Sequence, residues 1–296
     1  RVTKHGLLSF LGIAFLFSCR EKQVFQTAAN SKSLLWEVSG NTLPQPSYFL
    51  GTMHLMCADE AILSSNTKAI IKKVSQIYLE VDMDNMSELL NGVFELNMKN
   101  DKTLADVLPE EDYKIVRSFF EHNQPGLPFS VLERQQPMML ASSLYELFLD
   151  CEKKNGIDIR VIEEAARHKK ETKGLETMAF QTSVLDSIPY EEQARELVNS
   201  INNIEKYKAA LEELIKAYKV QDIELLHELS TKEEAGVGSY LDLLLYDRNK
   251  RWADQFEAIS KQKSTLYAVG AGHLGGEQGV ISLLKQKGYT VRAIVN

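Results

Sequence analysis

The chain has 296 residues, 44% of them hydrophobic, enough for one substantial core. Its formal charge is −7, and becomes −9 when Arg1 and Lys4 of the first 18 residues are set aside. No segment gathers the basic stripe that phosphate contacts need, so composition excludes a nucleic-acid partner.

Residues 1–18 read as a targeting segment: Arg1 and Lys4 make a short basic start, and an uncharged run of 12 residues follows, from Gly6 to Phe17. That run is too short to span a bilayer as a mature helix. It ends Leu16-Phe17-Ser18-Cys19, which resembles a lipobox, with cleavage before Cys19 and lipidation of its sulfur; polar Arg20-Glu21-Lys22 follows at once. The expectation is a lipoprotein signal peptide over 1–18 and a tether over 19–33, giving an exported protein anchored to a membrane of the bacterial cell envelope. A plain secretory signal with an incidental cysteine is the alternative. Cys57 and Cys151 remain; in an oxidising compartment they pair as a disulfide, or else stand as two buried thiols. Their spacing matches no metal-binding cysteine cluster.

In chain order, residues 34–38 and 48–51 read as strands joined by Ser39-Gly40-Asn41 and Pro44-Gln45-Pro46, an opening β-hairpin. Residues 61–74 have helical spacing and 76–82 read as a strand. From about 88 to 170 the pattern is mostly helical, with breaks at Pro109, Gln124-Pro125-Gly126 and Asn155-Gly156. A short strand at 171–175 returns the chain to the sheet. Residues 190 to about 234 lack Pro and Gly and predict two long amphipathic helices, placed as a cap. Helix 240–260, strand 264–269, helix 276–287 and strand 289–295 close the chain. This order predicts an α/β fold, a mixed sheet covered by helices, over 34–296, with a helical insertion at about 88–235.

Two of the six histidines stand apart. His54 and His273 each end a Gly-x-x-His tetrapeptide directly after a predicted strand, Gly51-Thr52-Met53-His54 and Gly270-Ala271-Gly272-His273. Side chains just beyond the carboxyl ends of strands in an open α/β sheet converge on one crevice, where two imidazoles can share a metal or an acid/base task. Gly270-Ala271-Gly272-His273-Leu274-Gly275 is also literally a GxGxxG. However, the next strand offers Arg292 and no acid for a ribose, which argues against dinucleotide binding. Glu80, in Leu79-Glu80-Val81-Asp82, and Glu176, in Gly174-Leu175-Glu176-Thr177, are candidate acids at strand ends; an exposed acidic face and a helix cap are their ordinary readings. Arg248 falls on the apolar stripe of its helix. It therefore either snorkels out along Trp252 or points inward to negative charge, with Asn249 beside it as a neutral hydrogen-bonding group. His122, His168 and His227 read as surface residues.

Together with Leu35-Trp36-Glu37-Val38, these blocks resemble the TraB/PrgY/GumN family, which is related to the Tiki metalloproteases and more distantly to erythromycin-esterase-like proteins. The resemblance runs from about residue 34 to the C-terminus. It implies an α/β fold whose paired Gly-x-x-His motifs and a glutamate form the active centre. Carried over, His54, His273 and Glu80 hold a divalent metal, and Glu80, Glu176, Arg248 and Asn249 are the catalytic polar groups. Donors of this kind suit manganese, cobalt or zinc. The expected activity is metal-dependent hydrolysis of a peptide or related acyl bond. The rival is a non-catalytic envelope lipoprotein that sequesters a peptide or small ligand. No His-Glu-x-x-His and no Gly-x-Ser-x-Gly is present, which argues against the common zinc-protease helix and a serine mechanism.

Overall fold

Strand β1 (Leu35–Ser39) pairs antiparallel with β2 (Ser47–Thr52), forming the predicted hairpin. The computed structural model that shows this describes residue 26 and residues 32–83, 96–232 and 240–296. The expected signal segment, Cys19, most of the tether and the start of the helical insertion lie outside the described residues.

Three more strands run parallel to β2. They are β4 (Gln76–Val81), β6 (Glu171–Glu176) and β7 (Thr265–Gly270), and with β8 (Thr290–Ile294) they complete a sheet in the order β6-β4-β7-β2-β1-β8. Pairs β2–β7, β7–β4 and β4–β6 are parallel, whereas β1 is antiparallel to both neighbours, so the sheet is mixed and the fold α/β. The four parallel strands end at one edge of the sheet, where the candidate residues sit.

Alternation along the strands sets the two faces. Phe49, Tyr267 and Tyr78 share one face, where Phe49 stacks on Tyr267 at 4.7 Å and Phe256 of helix α11 (Asp247–Gln262) covers both. Leu50, Ala268, Leu266, Ile77 and Leu79 fill the other and are buried. Helices α1 (Ser65–Lys73) and α6 (Ile157–Arg167) pack on each other, and their Ile70, Ile71, Val161 and Ala165 belong to the same core. Helix α1 starts four residues later than its apolar spacing suggested, because Ser64 caps it by accepting from the Thr67 N–H.

A second core lies outside the sheet. It is built by α2 (Leu104–Val107), α3 (Glu110–Asn123), α4 (Phe129–Leu132), α5 (Pro137–Phe148), α8 (Tyr190–Asn202) and α9 (Ile204–Lys219), around Phe120, Leu140, Leu144 and Leu197. Helix α7 (Met178–Asp186) links β6 to this cap. Residues 157–176, by contrast, pack with the sheet. The two long helices expected over 190–234 are three, since α10 (Ile223–Thr231) is separate. Breaks fall at Asn203 and at Gln221-Asp222, where Gln221 has φ +57° and Asp222 caps α10 from its side chain. Asn and Asp side chains compete with the helical backbone, so absence of Gly and Pro was not enough for continuity. A two-stranded ribbon, β3 (Met56–Cys57) with β5 (Lys154–Asn155), was also not foreseen; it joins the segment after β2 to the start of α6. Cys57 and Cys151 are bonded as a disulfide beside it.

Candidate active site

Each parallel strand delivers one polar side chain to the same edge. Glu80 is the penultimate residue of β4 and Glu176 the last of β6; His54 lies two residues beyond β2, and His273 closes a 3-10 turn (Ala271–His273) after β7. Folding thus brings His54 and His273 together although 219 positions separate them in the chain. Their Nε2 atoms each lie 3.9 Å from the same oxygen, Glu80 Oε1.

The outer nitrogens of both rings are already committed. His273 Nδ1 lies 2.6 Å from Asn249 Oδ1, and Asn249 Nδ2 donates to Gln278 O, which fixes the amide so that Oδ1 faces the ring. His273 Nδ1 must therefore carry the proton, leaving a lone pair on Nε2. His54 Nδ1 lies 2.7 Å from Asp158 Oδ2, on the first turn of α6. An imidazole oriented by a second polar group is the arrangement that prepares a histidine for metal ligation.

Arg248 points inward. Its Nη2 donates to Glu80 Oε2 at 2.6 Å and its Nε to Glu176 Oε2 at 2.9 Å, while its guanidinium stands over the Trp252 ring at 4.9 Å. Nη1 is shared between Leu244 O at 3.2 Å and His273 Nε2 at 3.4 Å. Leu244 lies in a π-helical turn (Asp242–Tyr246) that opens α11 and turns this carbonyl toward the arginine. With these donors occupied, Arg248 serves as counter-charge for two buried acids. Gln181 Nε2 bridges the same two carboxylates at 3.4 Å each. Glu176 Oε1, by contrast, is buried without a hydrogen-bond partner.

Protonation follows the surroundings. Burial disfavours the charged form of Glu80, but His273, Arg248, His54 and the Gly270 N–H together hold its carboxyl far below the usual range. Burial, with Arg248 beside it, pushes His273 down to about 3, so its ring is neutral. Desolvation also opposes charge on His54, yet the Asp158 hydrogen bond and charge, with Glu80 behind them, raise it to about 9. His54 is the open side of the centre, its side chain 67% exposed against 13% for Glu80, 8% for His273 and 0% for Glu176.

Among the described residues no group of three or more His, Cys, Asp or Glu is already drawn together around an ion position. The donor set nonetheless fits a divalent cation. A Cβ on Gly270 would lie 3.2 Å from Glu80 Oε1, 3.5 Å from His273 Cδ2 and 3.6 Å from His54 Nε2, so this glycine keeps the space between the three open. Neighbouring donors around an ion with bonds of about 2.1 Å are about 3.0–3.4 Å apart, so the two 3.9 Å gaps need to close by about 0.5–0.9 Å. Arg248 Nη1 then has the Leu244 carbonyl as its remaining acceptor.

Three residues that the sequence did not assign to the site belong here. Asp158 orients His54; its only signal was an acid two residues after the Asn155-Gly156 break. Trp252 underlies His273 at 4.5 Å. His227, read as a surface residue, is half-buried on α10 with Nδ1 3.4 Å from Gly272 O. The glycines after His273 let α10 approach: a Cβ on Gly275 would lie 2.2 Å from Ile223 O, and Gly276 has φ +79° against the His227 ring. His122 is exposed and His168 is half-buried beside Glu164, both away from the site.

The fold and site define an α/β protein with a centre of two oriented imidazoles and two arginine-held acids at the ends of four parallel strands. The chain belongs to the TraB/PrgY/gumN family, which matches residues 34–293. Relatives include metalloprotease TIKI2 of Xenopus tropicalis, 25% identical over 88% of this chain and 59% of its own length. Metalloprotease TIKI1 of Homo sapiens is 24% identical over 88% of this chain and 61% of its own. The metalloprotease TIKI homolog of Nematostella vectensis is 22% identical over 90% and 68%. The chain thus spans about three-fifths of the length of the first of these relatives. No solved structure matches.

Proposed function

We propose that the chain is a metal-dependent hydrolase of peptide or related acyl bonds. The observation that carries this reading is the pair of Nε2 atoms facing one Glu80 oxygen, with both Nδ1 atoms already held by Asp158 and Asn249. The names of its relatives point the same way. His54, His273 and Glu80 would hold the cation, which supplies Lewis acidity for activating water and polarising an acyl oxygen.

The chain's own groups do the rest. Asn249 and Asp158 keep the two rings in register, and a cation held at His54 Nε2 would stand in place of the proton that this ring otherwise carries. Glu176, whose Oε1 is buried and without a donor, would be the group that takes a proton from water. Arg248 donates to both acids, and Trp252 closes the inner wall. Substrate enters past exposed His54. Lipidation at Cys19 would put this centre on the envelope surface, and Cys19→Ala should then release the protein from membranes. Among the described residues no helix is long and apolar enough to cross a membrane.

The test starts from chelator-treated protein, with manganese, cobalt or zinc added back, and reads cleavage of a mixed peptide library. Turnover should require metal and vanish in His54→Ala and His273→Ala. Undiminished turnover in both variants would remove the assignment, and peptide binding without cleavage would favour sequestration instead.

A further inference from the structure

A cleft of about 410 Å³ opens beside the centre, between the sheet at β4 and β6 and the helices α7 and α11. Glu176 is among its lining residues, and Tyr78, Leu175 and Phe180 give it partly apolar walls. Arg251 overhangs it, one helical turn beyond Arg248. Its guanidinium lies 3.9 Å from the centroid of the Phe180 ring. A cation–π contact of this kind braces the guanidinium while its N–H groups stay able to donate.

Charge within the cleft is otherwise spoken for. Glu176 is paired with Arg248, Lys173 is paired with Glu171 at 3.1 Å, and Asp82 is engaged within the chain. Arg251 is exposed and, among the described residues, meets no carboxylate. A braced arginine that, among the described residues, meets no carboxylate, at a cleft that shares Glu176 with the proposed centre, offers a fork matching a carboxylate.

We propose that this cleft is a substrate subsite in which Arg251, braced on Phe180, binds a carboxylate flanking the bond to be cut, either an acidic side chain or a free peptide C-terminus. The inference rests on the hydrolase reading for its kinetic arm and is independent of it for its binding arm.

Kinetic measurements would use matched peptides in which Asp or Glu is exchanged for Asn or Gln at each flanking position, plus pairs ending in free carboxylate or amide. Wild-type protein should prefer one carboxylate peptide over its neutral partner by about tenfold or more in kcat/KM, the size of a charge-assisted hydrogen bond. The position at which the preference appears separates side chain from C-terminus. Arg251→Gln should collapse that ratio toward one, Arg251→Lys should restore part of it, and Arg251→Glu should turn the preference toward Lys-bearing peptides. An unchanged ratio in Arg251→Gln, with its folding intact by thermal melting, overturns the subsite while leaving hydrolysis standing. The binding arm measures the same peptides by calorimetry in chelator. Tighter binding of the carboxylate peptide, lost in Arg251→Gln, supports the subsite even if no peptide is cleaved, and equal binding of both partners refutes it.

Discussion

Replacing Arg248 by Met should be among the most damaging single changes outside the apolar cores. The guanidinium is 12% exposed and serves two carboxylates, Glu80 at 13% and Glu176 at 0%. Removing it strands two buried negative charges in a space shaped for them. Breaking a buried pair by removing one partner costs about 3–5 kcal/mol. Glu80 keeps the Gly270 N–H at 2.8 Å and both acids keep the Gln181 amide, which places the expected loss near the lower end, about 3 kcal/mol. For a domain of this size that corresponds to a fall of roughly 6–12 °C in melting temperature. Urea unfolding in chelator reads the loss without a contribution from bound metal. The sign of a second change tests the cause: Arg248→Met with Glu176→Gln removes one stranded charge and should recover at least about 1 kcal/mol over Arg248→Met alone. A loss below about 1 kcal/mol in the single variant, or no recovery in the double, would mean that Arg248 is not the counter-charge of these acids.

Asp158→Asn should weaken binding of manganese or zinc by about 10- to 100-fold, read by calorimetry, since it loosens the group that orients His54 while leaving the ligands in place. In the metal-free protein, stability should peak near pH 6.5. The raised His54 contributes stability that is fully present below about 6.5 and lost as pH rises toward about 9, whereas the lowered His273 contributes stability present above about 6.5 and lost as pH falls toward about 3. Urea midpoints across that range check both limbs, and His54→Gln should flatten the alkaline one. Removing the Cys57–Cys151 disulfide, which joins positions 94 apart, should cost about 2–5 kcal/mol and weaken metal binding as well, because it holds the segment after His54 against the one before Asp158. Gly275→Ala should lower the melting temperature and, by pushing α10 off the loop that carries His273, weaken metal binding; an unchanged melt would show that the loop yields freely.

What the sequence made legible was set by local chemistry. A β-hairpin announced by Pro and Gly, strands that end in Gly-x-x-His, and an arginine on an apolar helical stripe are each written within a single short stretch of chain, and these were the features that led to β1, β2, β7 and Arg248. What stayed hidden depends on two distant segments meeting. Asp158 looks like an ordinary acid in a first helical turn. It becomes the orienting partner of His54 because the β3–β5 ribbon and the Cys57–Cys151 bond bring residues 53–58 against 151–157, with the Ile157 N–H donating to Met53 O at 2.9 Å. His227 is similar: a mid-helix histidine between leucines and acids carries no mark of its neighbour, and only the bare backbone of Gly275 and Gly276 shows that something must press there. The run Gly-Ala-Gly-His-Leu-Gly-Gly therefore carries two messages at once, a histidine brought to the strand ends and the room for a helix to lock it from outside, and a motif read residue by residue separates only the first.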